Sequence, residues 1–287
     1  MTADLKFIRF ERDDEGIGVL MLNRPEVLNA LNTPMLEEIQ HVLEGARLDL
    51  SLKVLVIKGE GPTFCSGFDL REYRETLCDD RARGDASRIM FDELRLQQFS
   101  PIREVFRLLW ESPVVSIAQV QGYCVESALA VAMMCDLVIA ADDARFFWRT
   151  IGGGGPAWHL WPWTIGLRKT KELLFAVEYV TGEEAAQMGM INKSVPVEEL
   201  DGEVKRWARK VARREREFLC LDKMATNKAF EMMGLFSALD NAVLAHLLSH
   251  LTEPSRALEG KARGGTAGQF RESLEARASA TDRDILE

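Results

Sequence analysis

In GYCVESALAVAMMCD, residues 122 to 136, two polar side chains, Glu126 and Ser127, stand where an apolar strand-like segment passes into an otherwise apolar helical one. A carboxylate at such a junction can move a proton if apolar surroundings raise its pKa. The start of a helix offers unpaired N–H groups and a partial positive charge, which together can hold a developing oxyanion. Each residue also has a plainer use. The Ser127 hydroxyl can cap free amides, and Glu126 can stabilise the helix N-terminus through the macrodipole. Cap and oxyanion donor use different atoms of Ser127, so both uses can hold together.

The other titratable candidate is His159, in WRTIGGGGPAWHLWPW (148 to 163). Histidine can serve as a base near neutral pH, although a lone His among tryptophans is commonly a packed or surface residue. Arg149 and Thr150 could orient a polar group beside it. Trp148, Trp158, Trp161 and Trp163 are four of the six tryptophans in the chain. They either line an aromatic acyl pocket or pack at a subunit boundary. The GGGG run at 152 to 155 lacks the Lys-Ser/Thr ending of a phosphate loop and reads as a tight or flexible pocket lid.

The elements that would position these residues alternate between strand and helix. IGVLMLNR (17 to 24) is β-rich and ends in a Pro turn, residues 35 to 49 have helical apolar spacing, and KVLVIKGEG (53 to 61) is an apolar strand closed by glycines. A charged stretch, Arg71 to Asp85, precedes a long helix from Ile89 to Ser112. VVSIAQV, SALAVAMM and DLVIA then read as strand, helix and strand. The alternation predicts a mixed α/β core with near-parallel strands. Beyond Thr181 the pattern becomes mainly helical. The expected division is a core over 1–200, a helical region over 201–262, and a loosely ordered Gly/Ala/Ser-rich tail over 263–287.

With 287 residues, 47% hydrophobic and 28% charged, the composition is that of a globular protein. A net charge of -9 with dispersed Lys and Arg gives no basic face for nucleic acid. No apolar run is long enough for a membrane span and no signal peptide is evident, so the expected location is cytoplasmic. The five cysteines, Cys65, Cys78, Cys124, Cys135 and Cys220, form no CxxC pair. Neither a metal nor disulfides are expected, and Cys124 and Cys135 read as buried small hydrophobes.

Four blocks, NRPEVLNALN, TFCSGFDLREY, VQGYCVESALAVAMMCDLVIAADDARF and LLFAVEYVTGEEAAQMGMINKSVP, resemble in order the successive motifs of the crotonase, or enoyl-CoA hydratase/isomerase, family. The resemblance implies an α/β fold, a ClpP-like spiral of ββα units with a helical C-terminal trimerisation region. It also implies an acyl-CoA substrate, assembly as a homotrimer or a dimer of trimers, and no cofactor beyond the coenzyme A carried by the substrate. It places two backbone oxyanion donors at Ser66, before Gly-x-Asp, and at Ser127. By matched position, Arg24, Val27, Ala30, Gly67, Asp69 and Leu70 flank the coenzyme A arm, with Arg24 able to approach a phosphate and Asp69 able to organise its turn. Trp148 and Thr150 fall beside the acyl group.

The chain departs from the family at the two glutamates that activate water for hydration. The matched positions hold Ala130 and Thr150, and no Asp or Glu occurs from Ala144 to Lys171. Hydration by two carboxylates is therefore not expected, and a relocated group such as Glu126 or His159 would have to serve. WRTIGGG also resembles the aroyl-CoA dehalogenase branch, whose nucleophilic aspartate is missing here. The readings left open are a hydratase-like lyase, an isomerase, a thioester or C–C hydrolase, and a catalytically inactive subunit that binds CoA thioesters.

Overall fold

Apolar runs of five or six residues become strands because only a sheet buried on both faces tolerates them without alternation. In the computed structural model, which describes residues 5–69, 72, 101–148, 160–177, 179–250, 252, 253 and 272, four such runs form the centre of a six-stranded sheet flanked by two more polar strands. Its strands are β1 (Ile8–Arg12), β2 (Ile17–Leu22), β3 (Val54–Gly59), β4 (Val115–Val120), β6 (Leu137–Ala141) and β9 (Lys193–Val195), in the order β1-β2-β3-β4-β6-β9. Strand β1 pairs antiparallel with β2, and every other pair is parallel. Central β4 is buried at all six positions, whereas edge strand β1 is mostly exposed or half-buried.

A second sheet carries the site. It joins β5 (Tyr123–Val125), β7 (Arg145–Phe147) and β8 (Tyr179–Thr181), with Val125 opposite Phe147. Strand β5 runs directly into α3 (Ser127–Met134), an eight-residue helix in which every residue is buried. The expected helix over 35–49 is α1 (Thr33–Leu48). Its Asn32 cap accepts from the Met35 amide at 3.0 Å, and Met35, Leu36, Ile39, Val42, Leu43 and Ala46 form its buried stripe. The long helix expected from Ile89 is described only as α2 (Pro101–Glu111). The Arg71–Asp85 stretch and nearly all of the 263–287 tail lie outside the described residues.

Helices α4 (Trp161–Thr164), α5 (Gly166–Ala176), α6 (Gly182–Gln187), α7 (Val197–Ala212), α8 (Arg216–Met232) and α9 (Leu235–His250) complete the chain, in keeping with the helical pattern read beyond Thr181. Helix α6 begins with a capping box in which the Thr181 and Glu184 side chains each take the other's backbone amide. Helix α8 is pinned to the core by Lys223. Its ammonium donates to Leu109 O at 2.8 Å, Val114 O at 3.1 Å and the Asp136 carboxylate at 2.7 Å. Phe218, Leu221 and Met224 on the same helix, with Leu244 and Leu248 on α9, are more than half exposed. Among the described residues no helix is long and apolar enough to cross a membrane.

Candidate active site

Three chain segments distant in sequence are stitched together by backbone hydrogen bonds. Cys65 N donates to Tyr123 O and Val125 N to Cys65 O, each at 3.1 Å, so residues 65 to 67 run beside β5. Leu31 N donates to Gly67 O and Asp69 N to Leu31 O, each at 2.8 Å, which adds the loop after β2. The matched blocks around Arg24, Ser66 and Ser127 therefore meet at one place.

Gly67 sets how closely they meet. Its φ is +89°, and a Cβ built there would stand 2.9 Å from Val125 O, 3.5 Å from Ser127 Oγ and 3.7 Å from Glu126 Cβ. Only glycine combines that backbone angle with that approach. The Ser127 hydroxyl thus faces the side of Gly67 from which a side chain is missing.

At the start of α3 the chain is held in an unusual conformation. Glu126 has φ 50° and ψ -108°, a region that costs a residue with a Cβ of order 1–3 kcal/mol. Its amide donates to Phe147 O at 2.9 Å and its carbonyl accepts from Ala130 N at 3.0 Å. These bonds fix the turn from both sides. The half-buried Glu126 side chain makes no cap hydrogen bond, so it does not cap the helix by accepting from its amides.

The capping use of Ser127 also fails, because Ser127 is the first residue of the helix rather than the residue before it. Its hydroxyl is buried, the residue being 6% exposed, and has no hydrogen-bond partner. Its amide likewise takes no acceptor among the described residues.

Ser66 behaves differently. Its amide, the other matched oxyanion donor, donates to Leu28 O at 3.0 Å, and its hydroxyl lies 3.5 Å from Val27 O. Leu28 can present that carbonyl because it adopts the left-handed conformation, φ 55°, at the end of the Pro25–Val27 turn.

Arg24 is held within the protein by its own loop and the 65–69 segment. Its guanidinium donates to Ala30 O and to the Asp69 carboxylate, the latter at 2.9 Å, and lies over the Phe7 ring at 5.7 Å. Both partners of the ion pair are largely buried, at 14% and 13% side-chain exposure. Asp69 thus organises its turn through the guanidinium.

Asn29, which the sequence reading did not single out, is the hub of the same corner. Fully buried at φ 55°, it accepts from Arg24 N and donates to Glu60 O at 2.9 Å and Thr63 O at 2.8 Å. An Asn in a Pro-initiated turn, a residue type that tolerates the left-handed region, was the available signal. Burial pushes the neighbouring Cys65 thiol up to about 12, which keeps it protonated and inert.

Trp148 and Trp161 are buried in the main core and meet edge to face, ring centroids 5.0 Å apart. Trp163 is only partly buried. Ala130 is buried in α3 and brings no carboxylate. Leu70, Thr150 and His159, with Arg149 and Trp158, lie outside the described residues. Among the described residues no cluster of His, Cys, Asp and Glu could hold a metal.

Known proteins share this sequence pattern and fold. The Enoyl-CoA hydratase/isomerase family model matches residues 12–253. A crotonyl-CoA hydratase of Syntrophomonas wolfei is 31% identical over 227 residues, covering 76% of this chain and 80% of that protein. An enoyl-CoA hydratase structure from Mycobacterium smegmatis superposes with TM-score 0.81 at 27% identity, covering 96% of this chain and 94% of its own. An enoyl-CoA hydratase/isomerase from Xanthobacter autotrophicus Py2 gives TM-score 0.76 at 29% identity, with 94% and 98% coverage. The fold is the mixed α/β crotonase fold, and the chain belongs to the enoyl-CoA hydratase/isomerase family.

Proposed function

We propose that the protein transforms an acyl-CoA thioester through an enolate or tetrahedral oxyanion held at the N-terminus of α3, with Glu126 as the acid–base group. The observation that carries this reading is the unpartnered Ser127 amide at a helix start that Gly67 brings against the 65–69 segment. A preorganised N–H in a buried site stabilises charge as it develops on the thioester oxygen, with no reorganisation at the moment of reaction. Glu126, one residue earlier, would take the α-proton as that charge forms and return it to the acyl chain. Its strained backbone supports a functional placement, since strain of this kind persists where the surrounding structure holds it.

Hydration by paired glutamates is not part of the proposal, because a buried alanine stands at the first glutamate position. The exposed apolar residues of α8 and α9 support assembly into a homotrimer or a dimer of trimers. The reading is tested by mass spectrometry of the protein with a panel of thioesters, from crotonyl-CoA to bulky cyclic and β-oxo acyl-CoAs. Conversion of at least one member, lost in Glu126→Gln with binding retained, is expected. Unchanged turnover in that variant would remove Glu126 from the mechanism, and no turnover of any member would favour a subunit that only binds CoA thioesters.

A further inference from the structure

We propose that the outer face of α7 binds a short oligophosphate, a di- or triphosphate group, at a site separate from the candidate active site and independent of the acyl-CoA reading. Leu200, Val204, Ala208 and Ala212 form the buried stripe by which α7 packs on the six-stranded sheet. The outer face holds an open groove of about 500 Å³, lined by Gly202, Lys205, Arg206, Arg209, Lys210 and Arg213. Five of these are cations and none is acidic, on a chain whose net charge is -9. None belongs to the segments that meet around Gly67 and Ser127.

Ordinary helix chemistry accounts for only part of this face. Arg209 and Lys210 in the last turn, with Arg213 after it, suit the negative end of the helix dipole. Lys205 pairs with Asp201 at 2.6 Å, Arg206 with Glu203 at 2.6 Å and Arg209 with Glu15 at 3.4 Å, whereas Lys210 and Arg213 have no ion-pair partner among the described residues. Yet Lys205–Arg209, Arg206–Lys210 and Arg209–Arg213 are like charges one turn apart, and each such pair costs a helix about 0.2–0.5 kcal/mol. Gly202 adds about 1 kcal/mol relative to alanine in a helix interior, although a Cβ there would meet no neighbouring atom within 4 Å. Neither feature improves packing within the chain. Both suit a multivalent anion that seats against the bare turn at Gly202 and bridges the cations.

The residues around the groove set the length of that anion. From Lys205 to Arg214 the chain has cations and no acid over about 14 Å of helix rise. Glu198, Glu199, Asp201 and Glu203 stand before this stretch, and Glu215 and Glu217 after it. A nucleic acid strand or an anionic membrane would extend over both acidic borders and be repelled there, whereas two or three linked phosphates fit between them. Arg209 and Arg213 supply forked donors suited to phosphate oxygens.

The test is calorimetric titration of the full-length protein with inorganic tripolyphosphate and with ATP. Saturable binding that weakens as salt is raised is expected. Lys210→Gln and Arg213→Gln, neither of which breaks an ion pair among the described residues, should each weaken tripolyphosphate about tenfold with the thermal midpoint unchanged. Arg168→Gln, which removes an exposed cation from α5, should have no effect. ATP binding tighter than tripolyphosphate would identify a nucleotide as the source of the phosphates; equal or weaker ATP binding would identify a free oligophosphate. The proposal is overturned by absence of saturable binding, by full affinity in both groove variants, or by an equal loss in Arg168→Gln. Displacement of tripolyphosphate by butyryl-CoA would also overturn it, since the anion would then lie in the thioester site.

Discussion

The two ends of α3 treat their polar groups in opposite ways. Past its C-terminal end, Asp136 accepts from the Ser116 amide at 2.7 Å, the Ser116 hydroxyl at 2.9 Å and the Lys223 ammonium at 2.7 Å. At its N-terminal end the Ser127 amide and hydroxyl have no partner among the described residues, and Glu126 holds a backbone angle that favours glycine. Buried polar groups are normally satisfied. Where they are, they hold the fold; where they are not, in a site the chain has shaped at some conformational cost, a ligand is the natural partner. The Arg24–Asp69–Asn29 corner belongs with the first kind.

The sharpest way to break the comparison is at the satisfied end. Lys223→Met would strand Asp136 beside the core, and a buried pair broken on one side costs about 3–5 kcal/mol. Urea unfolding should register a loss of that order; under about 1 kcal/mol, Ser116 alone would be sufficient for Asp136.

At the site itself, Gly67→Ala combines positive φ with a 2.9 Å approach to Val125 O. A stability loss of about 1–3 kcal/mol is expected, with acyl-CoA binding weakened because the 65–69 segment must move away from Ser127. Normal stability and normal binding together would mean that this approach does not matter.

Asp69→Asn probes the third corner. Removing the carboxylate from a part-buried guanidinium should cost about 1–2 kcal/mol, between exposed and buried pairs, and lower the thermal midpoint. A gain in coenzyme A affinity instead would show that Arg24, once released, is a phosphate ligand after all.

Glu126→Gly should have the smallest effect on stability, near zero or a gain of about 1 kcal/mol, because glycine relieves the strained angle. The same variant should lose turnover. A clear loss of stability would mean that the carboxylate holds structure.

Much of the framework was readable in advance because its causes are local. Buried parallel strands appear as unbroken apolar runs, and α1 shows its stripe and its Asn32 cap in the residues themselves. The motif blocks, far apart in sequence, do meet in the fold, where Gly67 comes close to Val125 O and Ser127 Oγ. What was not readable depends on contacts between distant segments. Nothing in a local window tells that Leu28 O lies against the Ser66 amide, or that Arg24 is met by Asp69 forty-five residues away. The capping role read for Ser127 failed for a related reason. Residue preference favours a cap, but a one-residue shift in the helix start moves the hydroxyl from the cap position to the first turn.

The most direct test of the account is the ¹³C NMR shift of butyryl-CoA labelled at the thioester carbonyl, free and bound to the protein. Polarisation by the Ser127 amide at the start of α3 predicts a downfield shift on binding. A bound carbonyl with the same shift as the free thioester would contradict an oxyanion site at the start of α3.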